Sequence, residues 1–293
     1  VLISGISDVF YFDLNDARDG GGAICGGEAR VLVDADPSAH LTCLEEMETS
    51  FSKREEGFLL TGISQKHDEG RTIRRYWINT SKPDTFPTGM DPAFKKVVKS
   101  HLKQAVQYGF TALDLTSIPG HQVKMAFLEH YRPMPRLVIA GGGHVGRALA
   151  HIGRLLDFEI SVIDDRPEFA SKDNIPDADH LIVKDIGDAL QELVVGPDTY
   201  IVIVTRGHSH DGEALKACIG SKAAYIGMIG SKNKVGIMKK KFLENGWATP
   251  EQWSAVYTPI GLPIASQTVQ EIAISIAAQL IEIRNTKKES YGK

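Results

Sequence analysis

The stretch RLVIAGGGHVGRALAHIG, from Arg136 to Gly153, carries glycines at 141, 143 and 146 directly after an apolar run. That spacing serves phosphate chemistry. The first glycine permits a tight turn, the second lets backbone approach a phosphate, and the third lets a helix pack closely on a strand. A helix opening at His144 adds free N–H groups and partial positive charge. Asp164 follows about 20 residues on, at the end of the next apolar run, where an acid can bind ribose hydroxyls. Asp165 and Arg166 come next, and either adjust a ligand's polar end or pair with each other on the surface.

Three further stretches hold reactive side chains. TRGHSHDGEAL (205–215) gathers Arg206, His208, His210 and Asp211, with Gly207 and Gly212 to bend the loop. Such a group binds an anion, moves a proton, or offers imidazole and carboxylate to a metal. No third or fourth ligand follows at metal spacing, and Ser209 or Asp211 can equally cap the following helix. GMIGSKNK (227–234) sets Gly230, Ser231, Lys232 and Lys234 at another helix start, a hydroxyl and two cations beside free N–H groups that suit an anion. The same residues suit a capped helix with solvated lysines. In GGGAICGGEARV (20–31), Cys25 lies between glycine clusters that leave its sulfur accessible. A thiol there is a soft ligand or a sulfur nucleophile when its pKa is lowered, or else a small buried residue in a turn. Cys43 and Cys218 sit in helix-like apolar settings and read as core.

Holding these loops together takes a regular frame, and the second half of the chain has one. The apolar runs LVIA (137–140), EISVID (159–164), HLIVK (180–184), YIVIVT (200–205) and AAYIGMI (223–229) alternate with helical candidates at 144–156, 186–194, 210–219, 231–245 and 268–284. Thr268 and Glu271 have the spacing of a capping box. Continuous apolar strands alternating with helices imply a parallel sheet covered on both faces, a doubly wound α/β domain with expected strand order 3-2-1-4-5-6. The loops at 141–146, 206–211 and 230–232 then share the carboxyl edge of the sheet and can surround one anionic ligand.

The first half is mixed. EARVLVD (28–34), GFLLTGIS, RTIRRYWINT and HQVKMAFLEHY read as strands, with QKHDEG as a turn. DPAFKKVVKSHLKQAVQYG (91–109) reads as a helix, with Asp91 as N-cap, Pro92 in the first turn and Gly109 as stop. EHYRPMPR (129–136) suits a linker, so an α+β domain over 1–132 precedes the Rossmann-like domain over 133–293. The first residue is Val rather than Met, and the first domain is expected to be incomplete at its start. A net charge of −4 gives no reason to expect nucleic acid or anionic lipid as a partner. No apolar run approaches the roughly 18 residues of a membrane span, so no membrane contact is expected. Three scattered cysteines suit a reducing, cytoplasmic setting.

ICGGEARVLVD, PRLVIAGGGHVG, VIDDRPEFA, VTRGHSHDGEAL, AAYIGMIGSKNK and PIGLPIASQTVQEIAISIAAQL succeed one another over nearly the whole chain. In these marks and their order the sequence resembles the XdhC/CoxI family, accessory proteins of xanthine dehydrogenase and related molybdenum hydroxylases. The resemblance implies a non-redox role: binding molybdenum cofactor (molybdopterin), assisting its sulfuration and passing it to xanthine dehydrogenase or another molybdenum hydroxylase. A cysteine desulfurase and a second copy in a homodimer are the other implied partners. The family's cysteine falls on Cys25, placed by this reading over the molybdenum end. Its glycine loop falls on Gly141, Gly143, His144 and Gly146, its His loop on Arg206, His208 and His210, and its GS(K/R) loop on Gly230, Ser231 and Lys232. The chain departs from the family at Pro263, where Asp is usual, and at Ala265, where Gly is usual. The glycine fingerprint and Asp164 also fit an NAD(P)-dependent oxidoreductase, and the fold alone also fits a non-catalytic nucleotide-sensing module.

Overall fold

The computed structural model describes residues 5–13, 27–65, 71–81, 86, 90–116, 118 and 123–290. The chain forms two compact units that part between Pro133 and Met134.

In the first unit, β1 (Asp8–Asp13) and β2 (Glu28–Val33) make an antiparallel ribbon. A 3-10 turn at Pro37–His40 leads into α1 (Leu41–Ser52). The main sheet contains β3 (Gly57–Gln65), β4 (Arg71–Asn79), β5 (Phe110–Asp114) and β6 (Val123–Tyr131), in the order β4-β3-β6-β5 and antiparallel throughout. Helix α2 (Pro92–Tyr108) has the expected ends. The Asp91 carboxylate accepts from the N–H of Ala93 and Phe94 at 2.7 and 3.1 Å, and Gly109 takes a left-handed φ of +76°. Phe94, Val98 and Ala105 of α2 pack with Phe58, Leu60 and Leu128 of the sheet. Three elements were not anticipated: β1, α1 and β5. Strand β1 lacks polar alternation, and Phe10, Tyr11 and Phe12 all remain exposed on it.

The second unit contains β7 (Arg136–Ala140), α3 (His144–Leu155), β8 (Glu159–Asp164), β9 (His180–Val183), α4 (Ile186–Glu192) and β10 (Thr199–Ile203). It continues with α5 (His208–Cys218), β11 (Tyr225–Met228), α6 (Lys232–Glu244), α7 (Pro250–Ser254) and α8 (Val269–Ser290). All four strand pairs are parallel, in the order β11-β10-β7-β8-β9. Numbered along the unit this is 5-4-1-2-3, the first five places of the expected order read from the other side; among the described residues the sixth strand is absent. Its place is held by a single parallel bridge between Tyr257 and Gly227. Pro259 follows two residues later, and a residue without an N–H cannot extend the ladder.

Alternation along β7 divides the core. Leu137 and Ile139 face α3 and α8, packing with Leu149, Ala150, Ala273 and Leu280. Val138 and Ala140 face the other layer, with Leu190, Leu215, Met238 and Phe242. Burial on both faces is why these strands are apolar without interruption. Helix α8 opens with the anticipated reciprocal cap: Glu271 N–H donates to Thr268 Oγ1 at 3.3 Å, and Thr268 N–H donates to Glu271 Oε2 at 3.0 Å. It runs to Ser290, beyond the expected 284, because no Pro or Gly interrupts the polar residues that follow. Cys43 and Cys218 are both buried, and burial pushes their thiols up to about 11 and about 12. Among the described residues no helix is long and apolar enough to cross a membrane.

Candidate functional site

The carboxyl ends of β7, β8, β10 and β11 share one edge of the parallel sheet, and the loops that leave them hold the candidate residues. After β7 the chain runs through Gly141, Gly142 and Gly143 into α3. Gly141 has a left-handed φ of +117°, and a Cβ there would lie 2.5 Å from the Val204 carbonyl oxygen. A Cβ on Gly142 would lie 2.6 Å from the Phe169 carbonyl oxygen, and one on Gly146 would lie 1.9 Å from that of Gly141. These three glycines serve the fold. Gly143 differs: a Cβ there would meet no atom within 4 Å, and its φ of −68° suits any L residue. It opens α3 as N-cap with no side chain to accept from the helix. The N–H groups of Gly143, His144 and Val145 find no partner among the described residues, as expected of a bare helix start. The His144 side chain is exposed beside them.

Asp164, at the end of β8, is only 1 % exposed. Its Oδ2 accepts from the Gly142 N–H at 2.9 Å and from Arg166 Nη2 at 3.0 Å. Its Oδ1 accepts from Arg166 Nε at 2.9 Å and from the Arg166 N–H at 3.1 Å. Burial raises the pKa of this carboxyl, but hydrogen bonds from Arg166 and Gly142 outweigh it and hold the group below the usual carboxylate range. Asp164 therefore turns inward to brace the glycine loop, a correction to the expected outward contact with a ribose. A planar guanidinium two residues away matches the carboxylate in a fork and captures it. Arg166 also lies over the Phe169 ring, 3.5 Å from its centroid. Asp165 and Arg166 do not pair closely with each other, at 3.9 Å; Asp165 instead takes Arg206 from the loop after β10 at 2.8 Å.

That loop leads into α5, which starts at His208 with Gly207 as a bare N-cap. Asp211 is fully buried. Its Oδ1 accepts from the N–H and hydroxyl of Thr205 at 3.2 and 2.6 Å, and its Oδ2 pairs with Lys234 Nζ. Lys234 also donates to the Ile229 carbonyl at 3.3 Å. Asp211 is thus neither metal ligand nor helix cap, and Lys234 is not a free cation for a ligand. The pair ties the loop after β10 to the loop after β11. His210 is half-buried and lies alongside Gly207. The side chains of His208 and Ser209 lie outside the described residues, as does Cys25.

After β11, Ser231 caps α6, its Oγ accepting from the Lys234 N–H at 3.3 Å, while Lys232 is exposed and Gly230 half-buried. Gly141, Gly143, His144, Gly146, Arg206, His210, Gly230, Ser231 and Lys232 thus lie on loops or helix starts at one sheet edge. Among the described residues no group of three or more His, Cys, Asp and Glu side chains is arranged to hold a metal. Sequence reading missed two supports. Asn174 donates to the carbonyls of Gly142 and Phe169, both at 2.9 Å, and Thr205 anchors Asp211. The GGG run hinted at the first, since a glycine beyond the three of the fingerprint needs a close neighbour. Farther along, Gly261 has φ +94°, and Ala265 has φ +59°, a left-handed conformation that disfavours any side chain.

A five-stranded parallel sheet with helices on both faces and a glycine turn after its first strand defines a Rossmann-type domain. The family model for the XdhC Rossmann domain matches residues 137–280, so the second unit is similar to the Rossmann domain of that family. The uncharacterized protein YqeB of Escherichia coli K12 is 34% identical over 160 residues, 54% of this chain and 29% of that protein. A protein of Bacillus subtilis 168 named as a probable xanthine dehydrogenase component is 30% identical over 163 residues, 56% of this chain and 47% of that protein. The chain thus spans less than half the length of either curated relative. A crystal structure of a xanthine dehydrogenase from Bacillus halodurans superposes with a TM-score of 0.67 at 24% identity, covering 97% of this chain and 77% of that one. It carries the same fold.

Proposed function

We propose that this protein is an accessory factor of xanthine dehydrogenase or a related molybdenum hydroxylase, holding molybdenum cofactor as cargo and assisting its sulfuration and insertion. One observation carries the reading: Gly143 is bare where no protein atom requires it. The room beside it, lined by the N–H groups of Gly143, His144 and Val145, suits a phosphate oxygen. Helices α5 and α6 start at the same edge and add partial positive charge, Lys232 adds an exposed cation, and Arg206 lies at the same edge in a pair with Asp165. The cofactor's terminal phosphate fits this donor set. The cargo itself brings the molybdenum and dithiolene sulfur that the target enzyme needs. The chain's part is to bind the phosphate at Gly143, to fix its polar end near Arg206, His208 and His210, and to offer Cys25 for the sulfur step.

The names borne by the relatives support a molybdenum hydroxylase partner. A cysteine desulfurase, a homodimeric state and a cytoplasmic setting belong to the same proposal. Binding of NAD in the usual manner asks for a carboxylate free at the end of β8, and Asp164 is already held by Gly142 and Arg166. The deciding experiment is purification from a host that makes molybdenum cofactor, followed by metal and pterin analysis and calorimetric titration with NAD. Molybdenum and pterin in equal amounts, without NAD binding, are the expected result. Protein free of both, or a clear NAD isotherm, would overturn the reading.

A further inference from the structure

Helices α5 and α6 flank a groove of about 600 Å3 whose walls include Lys216, Ile237, Met238, Lys241, Phe242 and Trp247. Its floor is apolar and firmly held. Phe242 is fully buried, edge-on to Trp247 and Trp253 with ring centroids 5.4 Å away in each case. Ile237 is 73% exposed along the opening. Two cations flank the aromatic floor: Lys216 Nζ lies 4.3 Å from the Trp247 ring centroid and Lys241 Nζ 5.4 Å. Lys216 belongs to α5 and Lys241 to α6, so the two walls carry one each.

The charge around the groove is as one-sided as its floor is apolar. Helix α6 reads KNKVGIMKKKFLE, five lysines against one glutamate, in a chain whose net charge is −4. Of the groove's lysines, Lys234 is neutralised by a buried partner, Asp211. Among the described residues Glu213 is the one acid in the walls. Cation–π contacts with Trp247 hold two ammonium groups beside the apolar floor. A small amphiphilic anion carries its charge at one end. An acidic amphipathic helix carries carboxylates on both sides of an apolar stripe, the complement of a floor with a cation on each wall.

From this we infer that the α5–α6 groove docks an acidic amphipathic helix of a partner protein. The partner's apolar stripe covers Ile237 and Trp247 above the buried Met238 and Phe242, and its flanking carboxylates meet Lys216 and Lys241. The inference does not depend on which ligand the loop edge takes, since none of these side chains belongs to that site.

The test uses the whole chain and a fluorescein-labelled helical peptide of about 18 residues, with leucines at i, i+3, i+4 and i+7 and glutamates on both flanks. Fluorescence anisotropy is expected to give saturable binding in the micromolar range that weakens as salt rises. The same peptide with lysine in place of glutamate should not bind. The Lys216→Glu/Lys241→Glu variant, and separately Ile237→Ser, should each weaken binding about tenfold. All three side chains lie in the groove walls, and unchanged circular dichroism melts would show the fold intact. Absent binding, or binding equal in parent and variants, overturns the inference. So does a parent that self-associates in sedimentation velocity while Ile237→Ser does not, because the occupant would then be a second copy.

Discussion

Gly143 and Gly146 stand in one turn of the same loop–helix junction but answer to different constraints, and substituting each separates folding from binding. A Cβ at Gly146 would lie 1.9 Å from the Gly141 carbonyl oxygen, where about 3.5 Å is comfortable, so α3 must retreat by about 1.5 Å. That retreat pulls fully buried Leu149 and Ala150 away from β7 and α8. Overpacking of this kind costs about 1–3 kcal/mol and more against rigid backbone, while replacing glycine within a helix returns about 1 kcal/mol. Gly146→Ala should therefore lose about 2 kcal/mol. Gly143→Ser meets no atom within 4 Å, keeps an allowed φ of −68°, and gives α3 a hydroxyl cap worth a few tenths of a kcal/mol. That hydroxyl occupies the space and the N–H groups assigned to a phosphate, so its cost falls on the ligand, at least about tenfold in retained cofactor. Urea unfolding followed by tryptophan fluorescence, paired with molybdenum content after purification, measures both effects. A Gly146→Ala protein as stable as the parent, or a Gly143→Ser protein that retains cofactor normally, refutes the division of labour between these glycines.

Lys234→Met should destabilise the second unit by about 3 kcal/mol, because it strands the buried Asp211 carboxylate, and Asp211→Asn by less, because it leaves a partly exposed ammonium; the double variant should lose clearly less than the sum, and additive losses in urea melts would exclude the coupling. Asp164 has a folded pKa below its unfolded value, so its stabilisation is present above about pH 4 and is lost as pH falls through the folded value. The gap in stability between parent and Asp164→Asn should accordingly shrink from pH 6 to about pH 3; a gap that widens in acid contradicts the bracing role. Ala265→Gly removes left-handed strain at φ +59° and should add about 1 kcal/mol, read as a melting temperature about 2–4 °C higher. A melting point that stays put or falls would mean that the Ala265 methyl contributes packing that offsets its strain.

The frame of the second unit can be read from the chain because each buried strand is an unbroken apolar run and the helices that follow the strands open at glycine turns or polar caps. The pattern LVIA–GGG–HVG contains strand, turn and helix within a few residues, and the structure assigns all three. The sixth strand was expected by analogy with the full doubly wound order, whereas the local sequence VYTPIG, with its proline, permits one bridge only. Side-chain partners were harder to read. Asp164 and Arg166 are two residues apart, and nothing in their spacing says whether the acid faces a ligand or its neighbour. Asp211 and Lys234 lie 23 residues apart on different loops and meet only because β10 and β11 are adjacent. In the first unit, β1 escapes notice because it has aromatic residues on both faces, and β5 because its exposed Phe110 and buried Thr111 invert the usual alternation.

The Tyr257 bridge has a bearing on how the molecule behaves in a crowded solution. An open parallel sheet ends in unpaired backbone, which invites another chain to add a strand and begin an aggregate. On β11 that invitation is withdrawn: Tyr257 N–H donates to Ile226 O at 2.9 Å, Met228 N–H to Tyr257 O at 3.0 Å, and Ile260 N–H to Met228 O at 3.1 Å. A segment too short to count as a strand thus does a strand's protective duty, and Pro259 keeps it from becoming a new edge itself. The opposite margin, β9, is four residues long and offers little to pair with. Both borders of the sheet are blunted, one by a seal and the other by brevity.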